Sequence, residues 1–144
     1  LATGQAPLGV LDAVAAAVTA TGIGLELVAD NQLRRFRRAG PPPGAICAEG
    51  LWAWSRHPNY LGEILFWWGI FGFGLAAGPL RVWLPLGAVA MTALFLLGSL
   101  PLIEQRMAAR RPGWDAHCRR VPRLVPRPWR RADGGDRAGD ASGG

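Results

Sequence analysis

The run Leu61-Gly62-Glu63-Ile64-Leu65-Phe66-Trp67-Trp68-Gly69-Ile70-Phe71-Gly72-Phe73-Gly74-Leu75-Ala76-Ala77-Gly78 holds a single charge, at Glu63, and the stretch Val82 to Ile103 holds none. Each is long enough to cross a hydrocarbon core of about 30 Å as a helix. Between them, Ala77-Gly78-Pro79-Leu80-Arg81 joins a helix stop to a helix breaker, so a tight turn between antiparallel neighbours is expected. Upstream, residues 7–29 carry only Asp12 and Glu26 and form a third apolar stretch. Nothing basic precedes it, and its apolar length exceeds the roughly 7–15 residues of a secretory signal core. The expected fold is all-α: a multi-span helical membrane protein of about three transmembrane helices (7–29, 61–78, 82–103) with a cytoplasmic C-terminal helix and tail. A single helical membrane domain over 1–128 and a disordered tail over 129–144 are expected, the tail being too rich in Arg, Asp, Gly and Pro to bury a core.

Charge placement orients these spans. All sixteen basic residues are arginine, against ten acidic ones, for a net charge of +6. They fall after the first span (Arg34, Arg35, Arg37, Arg38, Arg56) and after the third (Arg106 onward), with Arg81 alone elsewhere. Three spans put both blocks on one face, which the positive-inside rule makes cytoplasmic. The charge is thereby explained without nucleic acid, whose binding would call for aromatics interleaved with cations. Trp52, Trp54, Trp67, Trp68 and Trp83 instead lie at or inside the spans as belt or packing residues. Cys47 and Cys118, without further ligands at metal spacing, read as two reduced thiols, and no metal site is expected. Gly22-Ile23-Gly24 lacks a preceding strand and is no dinucleotide turn. Gly74 to Gly78 fits small-residue helix packing weakly.

Three segments bring polar residues to that face. Glu26, Asp30, Arg34 and Arg37 recur at helical spacing on one side of the first helix. Carboxylates at such depth are costly unless paired or facing a polar cavity. Ser55-Arg56-His57-Pro58-Asn59-Tyr60-Leu61-Gly62-Glu63 opens the second span, Pro58 suiting a first helical turn whose free N–H groups favour anions. Asn59 and Glu63 stand one turn apart there and could grip one polar group together, while His57 could equally cap the helix at the interface. After the third span, Arg106 and Arg110 could clamp a phosphate as planar forks, whereas Arg120, Arg123, Arg127, Arg130 and Arg131 read as solvated positive-inside charge. These residues describe a cytoplasm-facing pocket for an anionic cofactor beside apolar walls for a lipid-like substrate.

The ordered motifs Glu26-x-x-x-Asp30-x-Gln32-Leu33-x-x-Phe36, Gly50-Leu51-Trp52-x-x-Ser55-Arg56-His57-Pro58-Asn59-Tyr60-Leu61-Gly62-Glu63, Glu104-x-Arg106, Arg111-Pro112-Gly113-Trp114 and Leu124-Val125-Pro126 resemble the DUF1295 proteins, over about residues 22–128. That family is similar to the C-terminal domain of steroid 5-alpha-reductases and related to sterol reductases and isoprenylcysteine carboxyl methyltransferases. The resemblance implies an NADPH-dependent reductase of a conjugated carbon–carbon double bond in a lipid or steroid-like substrate. It implies cofactor contacts from Asp30, Arg37, Arg56, His57, Asn59, Tyr60, Glu63, Arg106, Arg110 and His117, with Glu63 as the candidate catalytic acid. Trp114 and His117 stand where relatives more often carry Tyr. An S-adenosylmethionine-dependent methyltransferase sharing Arg-His-Pro-x-x-x-Gly is the alternative, although Gln105 follows Glu104 where those enzymes pair glutamates. A non-catalytic membrane protein of the same fold is the third reading. Relatives carry further spans before the segment matching Leu1, so spans supplied by another chain, or a piece of a longer reductase, are expected. The lipid bilayer is the expected surrounding, in a bacterial inner membrane, with no nucleic-acid partner.

Overall fold

A computed structural model describes residues 7–78 and 83–127, and every regular element among them is helical. They run α1 (Val10–Arg38), a 3-10 turn (Gly50–Ala53), α2 (Pro58–Ala76), α3 (Leu84–Ala93), a π-helical turn (Leu94–Ser99), α4 (Leu100–Arg110) and α5 (Trp114–Arg120). The turn expected at Ala77–Arg81 lies outside the described residues from Pro79 on, as does the tail over 129–144.

Helix α1 does not stop where the apolar stretch ends at Ala29. It runs to Arg38, about 43 Å at 1.5 Å per residue, because Asp30 to Arg38 contains neither Gly nor Pro to break it. Its N-terminus is closed by Asp12, whose Oδ2 accepts from Gly9 N at 2.8 Å. Two helical stretches are long and apolar enough to cross a membrane, α1 and the continuous Pro85–Arg110. Only 11% and 17% of their apolar windows are buried, whereas the core helix of a water-soluble fold is mostly buried. Their outward faces carry Leu11, Val14, Ile23, Leu27, Leu86, Val89, Leu94 and Leu97, all exposed, the last at 80%. A continuous apolar exterior of this kind suits hydrocarbon and not water. Helix α2, at 19 residues, is punctuated by four glycines and is not among those two stretches.

Three of those glycines, Gly62, Gly69 and Gly72, have a packing role. A Cβ built on Gly22 of α1 would come within 2.5 Å of Gly62 O and 2.6 Å of Phe66 N of α2. One on Gly62 would meet Glu26 N at 2.7 Å, one on Gly69 would run into Thr19 Oγ1, and one on Gly72 would meet Ala15 Cβ at 2.9 Å. The pairs Ala15–Gly72, Thr19–Gly69, Gly22–Gly62 and Glu26–Gly62 ascend one helix and descend the other, so α1 and α2 lie antiparallel with backbones in contact. Thr19 returns its hydroxyl to Ala15 O at 2.8 Å and so enters the seam without an unsatisfied polar group. The π turn has a local cause too. Pro101 cannot donate to the carbonyl one turn back and would clash with it, and widening the helix over Leu94–Ser99 accommodates that break.

Candidate functional site

The site forms where the Arg-rich ends of the helices converge. The 3-10 turn is tied to α1 by two bonds: Trp52 Nε1 donates to Ala29 O at 2.9 Å, and Leu51 N donates to Gln32 Oε1 at 2.9 Å. Gly50 adopts φ +56°, and any side chain there would strike the Gln32 amide. Gln32, Gly50, Leu51 and Trp52 of the family-like motif are therefore structural, clamping the entry to α2 onto α1. Ser55, 1% exposed, then accepts from His57 N at 3.2 Å, and Pro58 opens α2.

Glu104 of α4 is the hub of the charge network. Its Oε1 lies 2.8 Å from Arg56 Nη1 and 3.1 Å from His57 Nε2, and its Oε2 lies 3.2 Å from Arg123 Nε, a charge contact without hydrogen-bond alignment. Arg56 Nη1 also reaches Cys118 Sγ at 2.9 Å, and the guanidinium sits 5.9 Å from the centre of the Trp114 ring. Trp114 in turn tilts against His117 at 5.5 Å, and Tyr60 packs on Phe95 of the π turn at 5.0 Å. The backbone N–H of Arg56 donates to Pro122 O at 3.0 Å, tying the segment after α5 to the start of α2.

A cavity of about 340 Å³ opens beside this network. Its cationic lining is Arg37 of α1, Arg56, and Arg111 at the break between α4 and α5; its apolar walls include Leu33, Phe36, Trp52, Ile103 and Met107. His57, Asn59, Tyr60, Trp114 and His117 complete the polar and aromatic side, and the segment from Pro41 to Cys47 covers one edge, with Gly44 at φ +81° against Pro112. Among the described residues, no aspartate or glutamate lines it. Burial lowers the pKa of His57, opposed by its bond to Glu104, and burial lowers that of His117, helped by the charges of Arg120 and Arg56. Burial thus favours the neutral form of both imidazoles. Burial raises the Cys47 and Cys118 thiols, which are free and un-ionised.

Of the ten residues named from sequence, Arg37, Arg56, His57, Asn59, Tyr60 and His117 come together around the cavity. Asp30, Glu63, Arg106 and Arg110 do not line it. Arg106 and Arg110 are exposed on α4, and Asp30 is half-buried, with Arg34 Nε turned to its backbone carbonyl at 3.3 Å. Glu63 is half-buried one turn beyond Asn59 on α2. Arg123, read from sequence as solvated charge, is instead part of the Glu104 network. Sequence reasoning assigned no site role to Glu104, Arg111 or Trp114. The signal was present in Arg111-Pro112-Gly113-Trp114, whose Pro-Gly break turns the chain and brings Arg111 and Trp114 inward.

Residues 1–121 match DUF1295, a protein family of unknown function. The chain belongs to this family. It is also similar to an uncharacterized protein of Schizosaccharomyces pombe, 35% identical over 81 residues, which are 56% of this chain and 23% of that protein. The aligned stretch thus spans about a quarter of that relative's length. No solved structure matches the chain.

Proposed function

We propose that this DUF1295 chain is membrane-embedded and that its pocket binds NADPH, for reduction of a conjugated double bond in a lipid-like substrate. The observation that carries this reading is a cavity lined by three guanidinium groups, two histidines and, among the described residues, no carboxylate. Arginine forks favour phosphate, and such a site attracts a polyanion. Asn59 adds a second point of fit: its Oδ1 is buried without a partner, an acceptor suited to a carboxamide N–H. S-adenosylmethionine would bring a sulfonium and an ammonium, and the lining offers neither of them an acid.

In this reading Arg37, Arg56 and Arg111 hold the phosphates and Asn59 holds the amide end. NADPH supplies the hydride when bound. Leu33, Phe36, Trp52, Ile103 and Met107 keep water from that end of the pocket. Glu63, half-buried on α2 one turn beyond Asn59 and outside the cavity lining itself, is the acid proposed to serve the substrate. With α2 as a third span, both arginine blocks face the cytoplasm. Titration of the detergent-solubilised chain with NADPH, NADH and S-adenosylmethionine tests the reading. NADPH binding that is lost in Asn59→Ala is expected, and binding of S-adenosylmethionine alone would sink it.

A further inference from the structure

The geometry points to Glu104 as a positioning residue for the pocket, one that fixes the proton of His57 on Nε2 and sets the fork of Arg56 over Trp114. Glu104 Oε1 is shared by Arg56 Nη1 at 2.8 Å and His57 Nε2 at 3.1 Å. A carboxylate can only accept, so His57 donates from Nε2 and its Nδ1 becomes the acceptor of a neutral ring. His57 is only 3% exposed and lines the cavity, so this choice decides whether the ring offers the ligand a lone pair or an N–H. The same carboxylate offsets one of the three guanidinium charges and leaves Arg37 and Arg111 as the uncompensated ones of the lining. The charged and titratable groups around His57 are Glu104 from α4, Arg56 beside it, Arg123 after α5, Tyr60 from α2 and His117 from α5. Of these groups, Glu104 is the one seen within hydrogen-bond distance of the ring, at Nε2.

The proposal rests on the pocket being the ligand site and not on which ligand it takes. The chain has two histidines, so nitrogen NMR of the full chain labelled at histidine in detergent resolves both, with His117→Gln assigning them. The expected wild-type spectrum above pH 7 shows His57 protonated at Nε2 and bare at Nδ1. Glu104→Leu should scramble that preference and weaken NADPH binding by about tenfold, the lower end of the loss seen when an orienting partner is removed, with partial recovery in Glu104→Asp. A wild-type His57 protonated at Nδ1 overturns the proposal, and this reading survives even if Glu104→Leu does not fold. An unchanged tautomer or unchanged affinity in a folded Glu104→Leu overturns it as well. Wild-type protein that shows the Nε2–H tautomer but binds no NADPH overturns the reductase reading and leaves the positioning role standing.

Discussion

The two ends of the α1–α2 pair are built on opposite principles. Along Ala15, Thr19 and Gly22 the helices touch through glycine and backbone, leaving no room for a methyl group. At the other end, beyond Ala29, long side chains tie α1 to the 3-10 turn before α2, through Trp52 to Ala29 O and Gln32 to Leu51 N, and tie α4 to the start of α2, through Glu104 to Arg56 and His57. The seam has no hydrophobic drive of its own in lipid and depends on close van der Waals contact. The head depends on directional bonds between charged groups, and such bonds leave the gap that becomes a cavity.

Gly22 and Gly24 break that comparison most sharply. They are two residues apart on α1, yet a Cβ on Gly24 meets nothing within 4 Å, whereas on Gly22 it collides with the backbone of α2. Backbone cannot rotate away as a side chain can. Gly22→Val should destabilise the chain by more than about 4 kcal/mol, among the largest effects of single substitutions. Gly24→Ala should be neutral or stabilising by up to about 1 kcal/mol, the glycine penalty in a helix. Thermal unfolding in one detergent decides the pair, and equal melting temperatures would refute the seam.

At the head, the corresponding break is Arg56→Met. It keeps the length of the stem but leaves Glu104 with only His57 and Arg123, and removes the cation from Trp114. A cost of about 2 kcal/mol is expected, below the 3–5 kcal/mol for a fully buried pair because both side chains keep some exposure. Unlike the seam variant, it should stay folded and lose NADPH affinity, as checked by melting temperature and titration on one sample.

The sequence made the helical class and two apolar spans legible because composition and periodicity set them. The seam was not legible, since Gly22-Ile23-Gly24 does not say which glycine faces a neighbour; that depends on the register of α2. The head was legible in part. Arg56, His57 and Asn59 sit at a Pro58 helix start, a local signal, whereas Glu104 gains its role from distant segments, His57 lying 47 residues away. Arg106 and Arg110 were singled out by their spacing, but the turn at Pro112-Gly113 brings Arg111 to the cavity instead.

A weaker contrast lies in pH. Both histidines are at the head, and both have folded pKa values held below the unfolded value by burial. Such a group contributes its full stability above the unfolded pKa of about 6.5. As pH falls below that, the unfolded chain takes up the proton first and stability declines toward the folded pKa. The slope for each ring is at most about 1.4 kcal/mol per pH unit. Unfolding followed from pH 7.5 to 5.5 should show this loss in the wild type and less of it in His57→Gln, while Gly22→Val, broken at the seam, should leave the dependence of any residual fold unchanged. A wild-type stability that rises on acidification over this window would contradict the buried neutral state of both rings.

The smallest expected effect separates cations that line the pocket from those that merely share its end of the molecule. Arg106 and Arg110 are exposed on α4 and absent from the lining, while Arg37 and Arg111 border the cavity and have no carboxylate beside them in it. An exposed charge a Debye length of about 8 Å or more from a bound anion is largely screened at physiological salt. Arg106→Ala and Arg110→Ala should therefore change NADPH affinity by no more than about twofold, and the change should vanish at high salt. Arg37→Ala and Arg111→Ala remove a direct phosphate partner and should each cost about tenfold, in keeping with about 1.5 kcal/mol or more for a charged hydrogen bond. Titrations of the four variants at low and high salt order them. A ranking with Arg106 and Arg110 above Arg111 would mean that the anion lies along α4 and not in the cavity, and would return the site to the arginines that helical spacing alone had selected.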